Sequence, residues 1–294
     1  MSLTFRAARI SDIEKLSQLI RDYDLDTLGE IETSEEDVKG LLAAIDNLET
    51  HSWIVEKEDR VVIGFAGITK KGTHFPSLVI VHPTYRHNGI EQQLIEKMRL
   101  VVSGGTLIVS SNTDYEHQLF SENGFKAARH WFTMKRSVDA FTSTPSLPPS
   151  LVIEPFVLNQ DEEAVHQAFE ESFSTHFGYE PSSLNDFLER TNREGFDPNL
   201  WFLLKDQGEI AGFIFCKRGI DHHAEITHVG VRPQWRKRGF GKVLLEYAFL
   251  QLRNEGRTSI HLDVDTENGT GAVKVYKTAG MEIARHFIRF DKAV

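Results

Sequence analysis

The sequence predicts an α/β (α+β) chain of two tandem domains of one fold, each a mixed, mostly antiparallel sheet flanked by helices. Three observations lead there. The chain repeats itself: Val81-His82-Pro83-Thr84-Tyr85-Arg86-His87-Asn88-Gly89 lies 150 positions before Val231-Arg232-Pro233-Gln234-Trp235-Arg236-Lys237-Arg238-Gly239. Phe120-x-x-x-Gly124-Phe125 lies 156 positions before Tyr276-x-x-x-Gly280-Met281. An internal duplication accounts for both. Second, strand and helix patterns follow the same mixed order in both halves, which indicates sheets covered by helices. Third, Ser137–Pro149 is rich in Ser, Thr and Pro and sustains neither pattern. The expected division is a domain over 1–136, a linker over 137–150 and a domain over 151–294; a chain of 294 residues accommodates two domains of ordinary size.

The elements can be taken in order. Each half opens with a short strand, Thr4–Ala8 and Leu151–Phe156, followed by helical stretches. These are Ile10–Tyr23 and Glu35–Asn47 in the first half, and Asp161–Phe173 and Ser183–Arg190 in the second. Hairpin patterns follow, Ser52–Glu56 with Val61–Thr69, then Leu200–Lys205 with Ile210–Arg218; Gln207-Gly208 supplies the second turn. Next come an apolar strand (Ala224–Val231 in the second half), a glycine-containing turn and a helix (Val243–Leu252). Each half closes with a strand, a helix ending at Gly124-Phe125 or Gly280-Met281, and a last strand.

Composition sets bounds. Hydrophobic residues make up 40% and charged residues 26%, the balance of a globular protein. No apolar run reaches the roughly 18–20 residues that span a bilayer, and the first residues show no signal-peptide pattern. The single cysteine, Cys216, sits in an apolar run and reads as a buried core thiol. A reducing cytoplasm is the expected compartment. Net charge is −10, spread evenly as 16 basic against 21 acidic residues in 1–140 and 17 against 22 in 141–294. There is no basic arm, so nucleic acid and membrane are not expected partners, and a cationic small molecule is mildly favoured.

The chemistry centres on Arg236-Lys237-Arg238-Gly239-Phe240-Gly241, between a strand and a helix. Such a turn aims several N–H groups at one point, where the helix N-terminus adds about half a positive charge, so it suits a phosphate. It is not a Walker A loop, because Arg236 stands where that pattern needs its first glycine.

With this turn, the strand before it, the Val231-x-Pro233 step and the run Asn268-Gly-Thr-Gly-Ala272-Val-Lys-Val-Tyr276-Lys-Thr-Ala-Gly280-Met281, most of 151–294 resembles the GNAT superfamily of acetyl-coenzyme A-dependent N-acetyltransferases. The chain is then two tandem GNAT domains. With His176-Phe177-Gly178 and Phe196-Asp197-Pro198, the tandem is similar to the mycothiol synthase-type branch, which implies a cysteinyl amine as acceptor. The resemblance implies acetyl-CoA as co-substrate and no metal. It implies that the N–H groups of Arg238, Gly239, Phe240, Gly241 and Lys242 cradle the pyrophosphate. Arg236, Lys237, Arg238 and Lys242 would add positive charge, and Val229, Gly230 and Val231 would pair their backbone with the pantetheine arm. Asn268 would cap the following helix or contact that arm.

Two residues are candidates for proton transfer. Glu225, eleven residues before Arg236, is the candidate base; burial in an apolar strand would make it a better proton acceptor, whereas a strand-edge glutamate would face water. Tyr276 is the candidate acid for the leaving thiolate, or else a packing aromatic. His228 is expected in a core or surface role, with a proton relay as the alternative. In the first half Glu91 replaces Gly241, Phe120 replaces Tyr276, and Phe75 falls opposite Glu225. Residues 1–136 are therefore expected to be a degenerate domain. The expected activity is acetyl transfer to a small-molecule primary amine in the second half, by a monomer or homodimer. Peptide acetylation and non-catalytic acetyl-CoA sensing are the alternatives.

Overall fold

The computed structural model describes residues 3–138, 147–192 and 196–294, so most of the expected linker, 139–146, lies outside the described residues. The first half contains β1 (Leu3–Arg6), α1 (Ile13–Leu28), α2 (Glu35–Ala43), α3 (Leu48–His51), β2 (Ser52–Lys57), β3 (Val62–Ile68), β4 (His74–Val81), α4 (Ile90–Val101), β5 (Thr106–Ser111), α5 (Asp114–Glu122) and β6 (Lys126–Ser137). The second contains β7 (Leu151–Pro155), α6 (Glu162–Phe173), α7 (Leu184–Leu188), β8 (Trp201–Asp206), β9 (Glu209–Arg218), β10 (His223–Val231), α8 (Phe240–Asn254), β11 (Ser259–Asp265), α9 (Ala272–Thr278) and β12 (Glu282–Ala293). Helix starts follow local chemistry. Ser34 and Ser183 each accept the N–H of the residue three on, Asp37 and Asp186, whose carboxylates bond back.

Two compact units form: residues 3–131 with His286–Val294, and Phe132–Arg285. The first unit's sheet runs β1-β2-β3-β4-β5-β12, where β12 contributes Ile288–Ala293 antiparallel to Thr106–Ser111. The second runs β7-β8-β9-β10-β11-β6. Each unit takes its sixth strand from the other half of the chain, which departs from the division at 136 and 151. Strand pairing is decided by hydrogen-bond ladders and matching faces rather than by chain position. The pairs β1–β2, β2–β3, β3–β4, β5–β12, β7–β8, β8–β9 and β9–β10 are antiparallel, and β4–β5 and β10–β11 are parallel.

The second unit has two cores, one per sheet face. Ala211, Ile214, Cys216, Ala224 and Ile226 pack with Leu244, Leu245 and Phe249 of α8. Phe213 and Phe215 pack with Val165, Phe169 and Phe187 of α6 and α7. Burying each large side chain contributes about 1.5–3 kcal/mol. Cys216 is buried, as its apolar run predicts, and burial pushes its thiol pKa up. Gly230 belongs to this packing: a Cβ there would lie 2.4 Å from the Phe213 ring, so no larger residue fits.

Candidate active site

The strand β10 carries the site because its pairing is incomplete. On one side it pairs with β9 along its length, except that Ile226 faces Cys216 and His228 faces Phe215, leaving Thr227 as a bulge. On the other side it pairs with β11 over 223–225 against 259–261, and the rest of β10 runs on without a partner strand there. Arg232 donates its N–H to Ala211 on the β9 side. By the alternation of antiparallel pairing, Gly230 faces β9 as well, while Val229 and Val231 turn their N–H and C=O toward the open side. The Val231 carbonyl accepts from Arg236 Nε at 3.0 Å. The Val231 N–H and both polar groups of Val229 are left for another extended chain. Both side chains are half-buried.

The turn lies at the end of this edge. Lys237 and Gly239 adopt left-handed φ values of 64° and 82°, and Gly239 caps α8 without a side-chain bond. The N–H groups of residues 237–241 donate to no described residue, whereas Lys242 N–H is spent on the Gly239 carbonyl at 3.1 Å. The run of unspent N–H groups therefore begins at 237, one residue before the expected 238, and excludes Lys242. Lys237, Arg238 and Lys242 are exposed and carry positive charge. Arg236 is also charged but is turned inward: its Nη2 reaches the Ser172 carbonyl at 2.9 Å while Nε holds Val231. It is a strut between α6 and β10, correcting its expected role as a phosphate arm. Sequence reasoning missed two further struts. Arg232 grips Glu171 through two bonds of 2.7 and 2.9 Å, and Trp235 Nε1 donates to Asp206 at 3.0 Å. In a single chain they look like ordinary surface residues.

Gly241 brings the turn against α9, since a Cβ there would lie 3.5 Å from Val275, the neighbour of Tyr276. Tyr276 is 8% exposed within the α8-side core. Burial pushes its phenol pKa up, so the hydroxyl stays protonated. Asn268 does not cap α9. The cap is Gly271, and Asn268 Oδ1 instead accepts the Thr270 N–H at 2.8 Å in a local turn. Asn268 lines a groove of about 510 Å³ with Thr266, Val273, Lys274 and Lys277, a wall to which neither Tyr276 nor the phosphate turn contributes.

Glu225 lies on the opposite, α6-side face of the sheet. Its carboxylate meets Lys217 Nζ of β9 at 3.0 Å, and its side chain is 31% exposed. It is not desolvated as the sequence argument supposed; the bulge puts it at an accessible, ion-paired place. His228 shares this face. Burial and the neighbouring Arg190 push its pKa down to about 3. His176, edge-on to Phe173 at 4.6 Å, is also held below the usual histidine range by burial and by Arg236.

The first half keeps the turn and fills it. His87 and Gly89 repeat the left-handed pair, with φ of 65° and 75°. Glu91 is 3% exposed, and its Oε1 accepts the Tyr115 hydroxyl at 2.8 Å. That hydroxyl in turn accepts the His87 N–H at 3.4 Å. Tyr115 stands where the second half has Gly271, by the 156-residue offset. Arg86 is paired with Asp26 and lies over the Tyr23 and Tyr115 rings. Phe120, at Tyr276's position, packs on Phe125 and Phe290. The register also corrects the alignment at Glu225. Because β4 lacks the bulge, Pro76 holds that place rather than Phe75: Pro76 pairs with Ile108 as Glu225 pairs with His261. The carboxylate is absent either way.

The acetyltransferase (GNAT) family profile matches residues 162–281, and an acetyltransferase (GNAT) domain profile matches 49–127. A mycothiol acetyltransferase of Renibacterium salmoninarum is 30% identical over 72% of this chain; the match spans 64% of that protein's length. One from Arthrobacter sp. is 29% identical over 79% of this chain and 72% of its own. The crystal structure of a GCN5-related N-acetyltransferase from Sphaerobacter thermophilus superposes with a TM-score of 0.83 and 25% identity, covering 99% of this chain and 95% of that one. A tandem GNAT protein from the clavulanic acid biosynthesis pathway shares the fold, with a TM-score of 0.77, 14% identity and coverage of 99% and 98%. With a GNAT domain matched in each half and a neighbour of the same fold along its whole length, the chain belongs to the GNAT acetyltransferase family as a tandem of two GNAT domains.

Proposed function

We propose that the second half transfers an acetyl group from acetyl-CoA to a primary amine of a small molecule. The observation that carries this reading is the joining of unspent N–H groups at 237–241 to an open strand edge at Val229 and Val231. This donor set fits a diphosphate continued by an amide-bearing arm. Lys237, Arg238, Gly239, Phe240 and Gly241 hold the diphosphate, and Val229 and Val231 pair with the arm. Acetyl-CoA supplies a thioester carbonyl open to attack and a sulfur that leaves as thiolate. The amine nitrogen forms the new C–N bond as the C–S bond breaks. The entering ammonium takes Lys217's place beside Glu225 and gives it one proton, which frees the nitrogen lone pair for attack; the second N–H proton leaves the tetrahedral adduct to solvent. Tyr276 gives its hydroxyl proton to the sulfur, and burial keeps that proton in place beforehand.

The first half shapes the protein without turnover, because Glu91 and Tyr115 occupy its own turn. The relatives' name, mycothiol acetyltransferase, favours an acceptor whose amine belongs to a cysteinyl group. A net charge of −10 disfavours nucleic acid. No described helix is long and apolar enough to cross a membrane. Free-thiol release from acetyl-CoA tests the reading across cysteinyl-sugar conjugates, polyamines, aminoglycosides, amino acids and short peptides. Saturable release with a small amine, reduced about 100-fold in kcat in Tyr276→Phe, is expected. Release with peptides alone would move the acceptor class to protein amines. Cofactor binding without release for any amine would replace transfer by sensing.

A further inference from the structure

His228 stands three residues after Glu225 and one before Val229. The bulge at Thr227 sets it on Glu225's face of the sheet, since their partners Phe215 and Lys217 are alternate residues of β9. Arg190 Nη1 lies 3.3 Å from His228 Nε2. A guanidinium only donates, so Nε2 is the accepting nitrogen and the ring hydrogen sits on Nδ1. The arrangement is held from both sides. The Arg190 guanidinium lies 4.6 Å from the centre of the Phe169 ring and 5.8 Å from that of Phe187. The imidazole is boxed by Phe169, Phe173 and Phe215 at 5.1, 5.8 and 6.0 Å. With its pKa near 3, the ring stays neutral over the working range and keeps one tautomer. Nδ1–H has no hydrogen-bond partner among the described residues. It is not among the buried polar atoms left without a partner, so it opens to solvent, where an acceptor's oxygen can take the place of water.

We propose that His228 Nδ1–H is a specificity-determining donor, selecting acceptors that carry a carbonyl oxygen beside the amine: aminoacyl-type amines rather than plain alkylamines. Glu225 then takes the ammonium and His228 the neighbouring oxygen, two contacts that one α-amino amide can satisfy together. The inference rests on the acetyl-transfer reading of this face and names the residue that would recognise the carbonyl beside the amine.

Two measurements on the full chain test it. Nitrogen NMR of ¹⁵N-histidine-labelled protein reads the tautomer directly, and a neutral Nδ1–H ring is expected from pH 8 to pH 5. An Nε2–H ring, or an imidazolium near neutral pH, would overturn the proposal even with acetyl transfer intact. The second is the ratio of kcat/KM for glycinamide over ethylamine, in the unaltered protein and in two variants. Asparagine places its amide N–H near Nδ1, and glutamine places its own near Nε2. The expected ratio is about 3–10, from the net worth of one hydrogen bond. It should be largely kept in His228→Asn and fall toward one in His228→Gln. An equal ratio in all three proteins would sink the specificity role while leaving transfer standing. Absence of turnover with either amine in the unaltered protein, alongside the Nδ1–H tautomer, would instead remove the acetyl-transfer reading and this role with it.

Discussion

In the first half, the strand leading into the turn is sealed: Val79 and Val81 are 8% and 3% exposed, and the Glu91 carboxylate bonded to Tyr115 fills the turn itself. In the second half the matching valines are half-buried, the turn is bare, and glycines stand at 241 and 271 in place of the carboxylate and the ring. The turn backbone repeats in both, with paired left-handed residues at 87 and 89 and at 237 and 239. A nest of N–H groups is thus cheap for a fold to keep. Whether it binds an anion depends on what the neighbouring side chains leave open.

The comparison can be broken most sharply by copying one half into the other. Gly241→Glu places Glu91's carboxylate in the working turn. About 4 kcal/mol of repulsion at 4 Å in a surface environment predicts acetyl-CoA affinity falling by 10²–10³-fold in calorimetry. The unaltered protein should bind one equivalent of acetyl-CoA, and Glu91→Gly should not raise that number, because Tyr115 still occupies the first turn. Two equivalents in the unaltered protein would erase the distinction between the halves.

Glu225 offers a smaller effect. As the proton acceptor it should lose about 10²-fold in kcat on Glu225→Gln, while Lys217→Met changes kcat only a few-fold. Matching small losses from both substitutions would assign the carboxylate to the cross-strand ion pair alone.

The smallest effect is on stability against pH, and the two units should differ in its sign window. In the first, burial acts to raise Asp12, but hydrogen bonds from Arg6 and from the Arg9 N–H outweigh it and hold the carboxyl below its ordinary range. The Arg6 hydrogen bonds also lower Glu56. Their stabilisation is present above the unfolded carboxylate pKa and is lost as pH falls through the depressed folded values. His228 is lowered in the folded state, so below about 6.5 the unfolded chain binds the extra proton. Stability of the second unit should therefore fall from pH 6.5 toward 3, before the first unit responds. Residue-resolved hydrogen exchange should show the second unit weakening first, and His228→Asn should flatten that slope between pH 6.5 and 4. First-unit amides weakening at the higher pH would reverse the assignment.

The repeat made much of the fold legible, because duplicated motifs at fixed offsets carry their elements with them. The apolar runs at 211–216 and 224–231, the capping residues Ser34 and Ser183, and the glycine turn all specify local structure through their own neighbours. Glu225 and Asn268 were legible as residues but not as environments. The bulge at Thr227, which sets Glu225 beside Lys217, has no signature in one strand read alone, and Asn268 caps nothing because Gly271 already does.

By itself the sequence determined the two-domain α/β plan, the family, the glycine turn between strand and helix, and the phenylalanine at Tyr276's position in the first half, since each depends on residue type at a spacing. Tertiary structure alone decided which half supplies each sixth strand, that Arg236 serves as a strut, that Tyr115 fills the first turn, and that Arg190 fixes the His228 tautomer. These depend on distances between residues far apart in the chain, and such distances are set when strands pair and side chains compete for the same space.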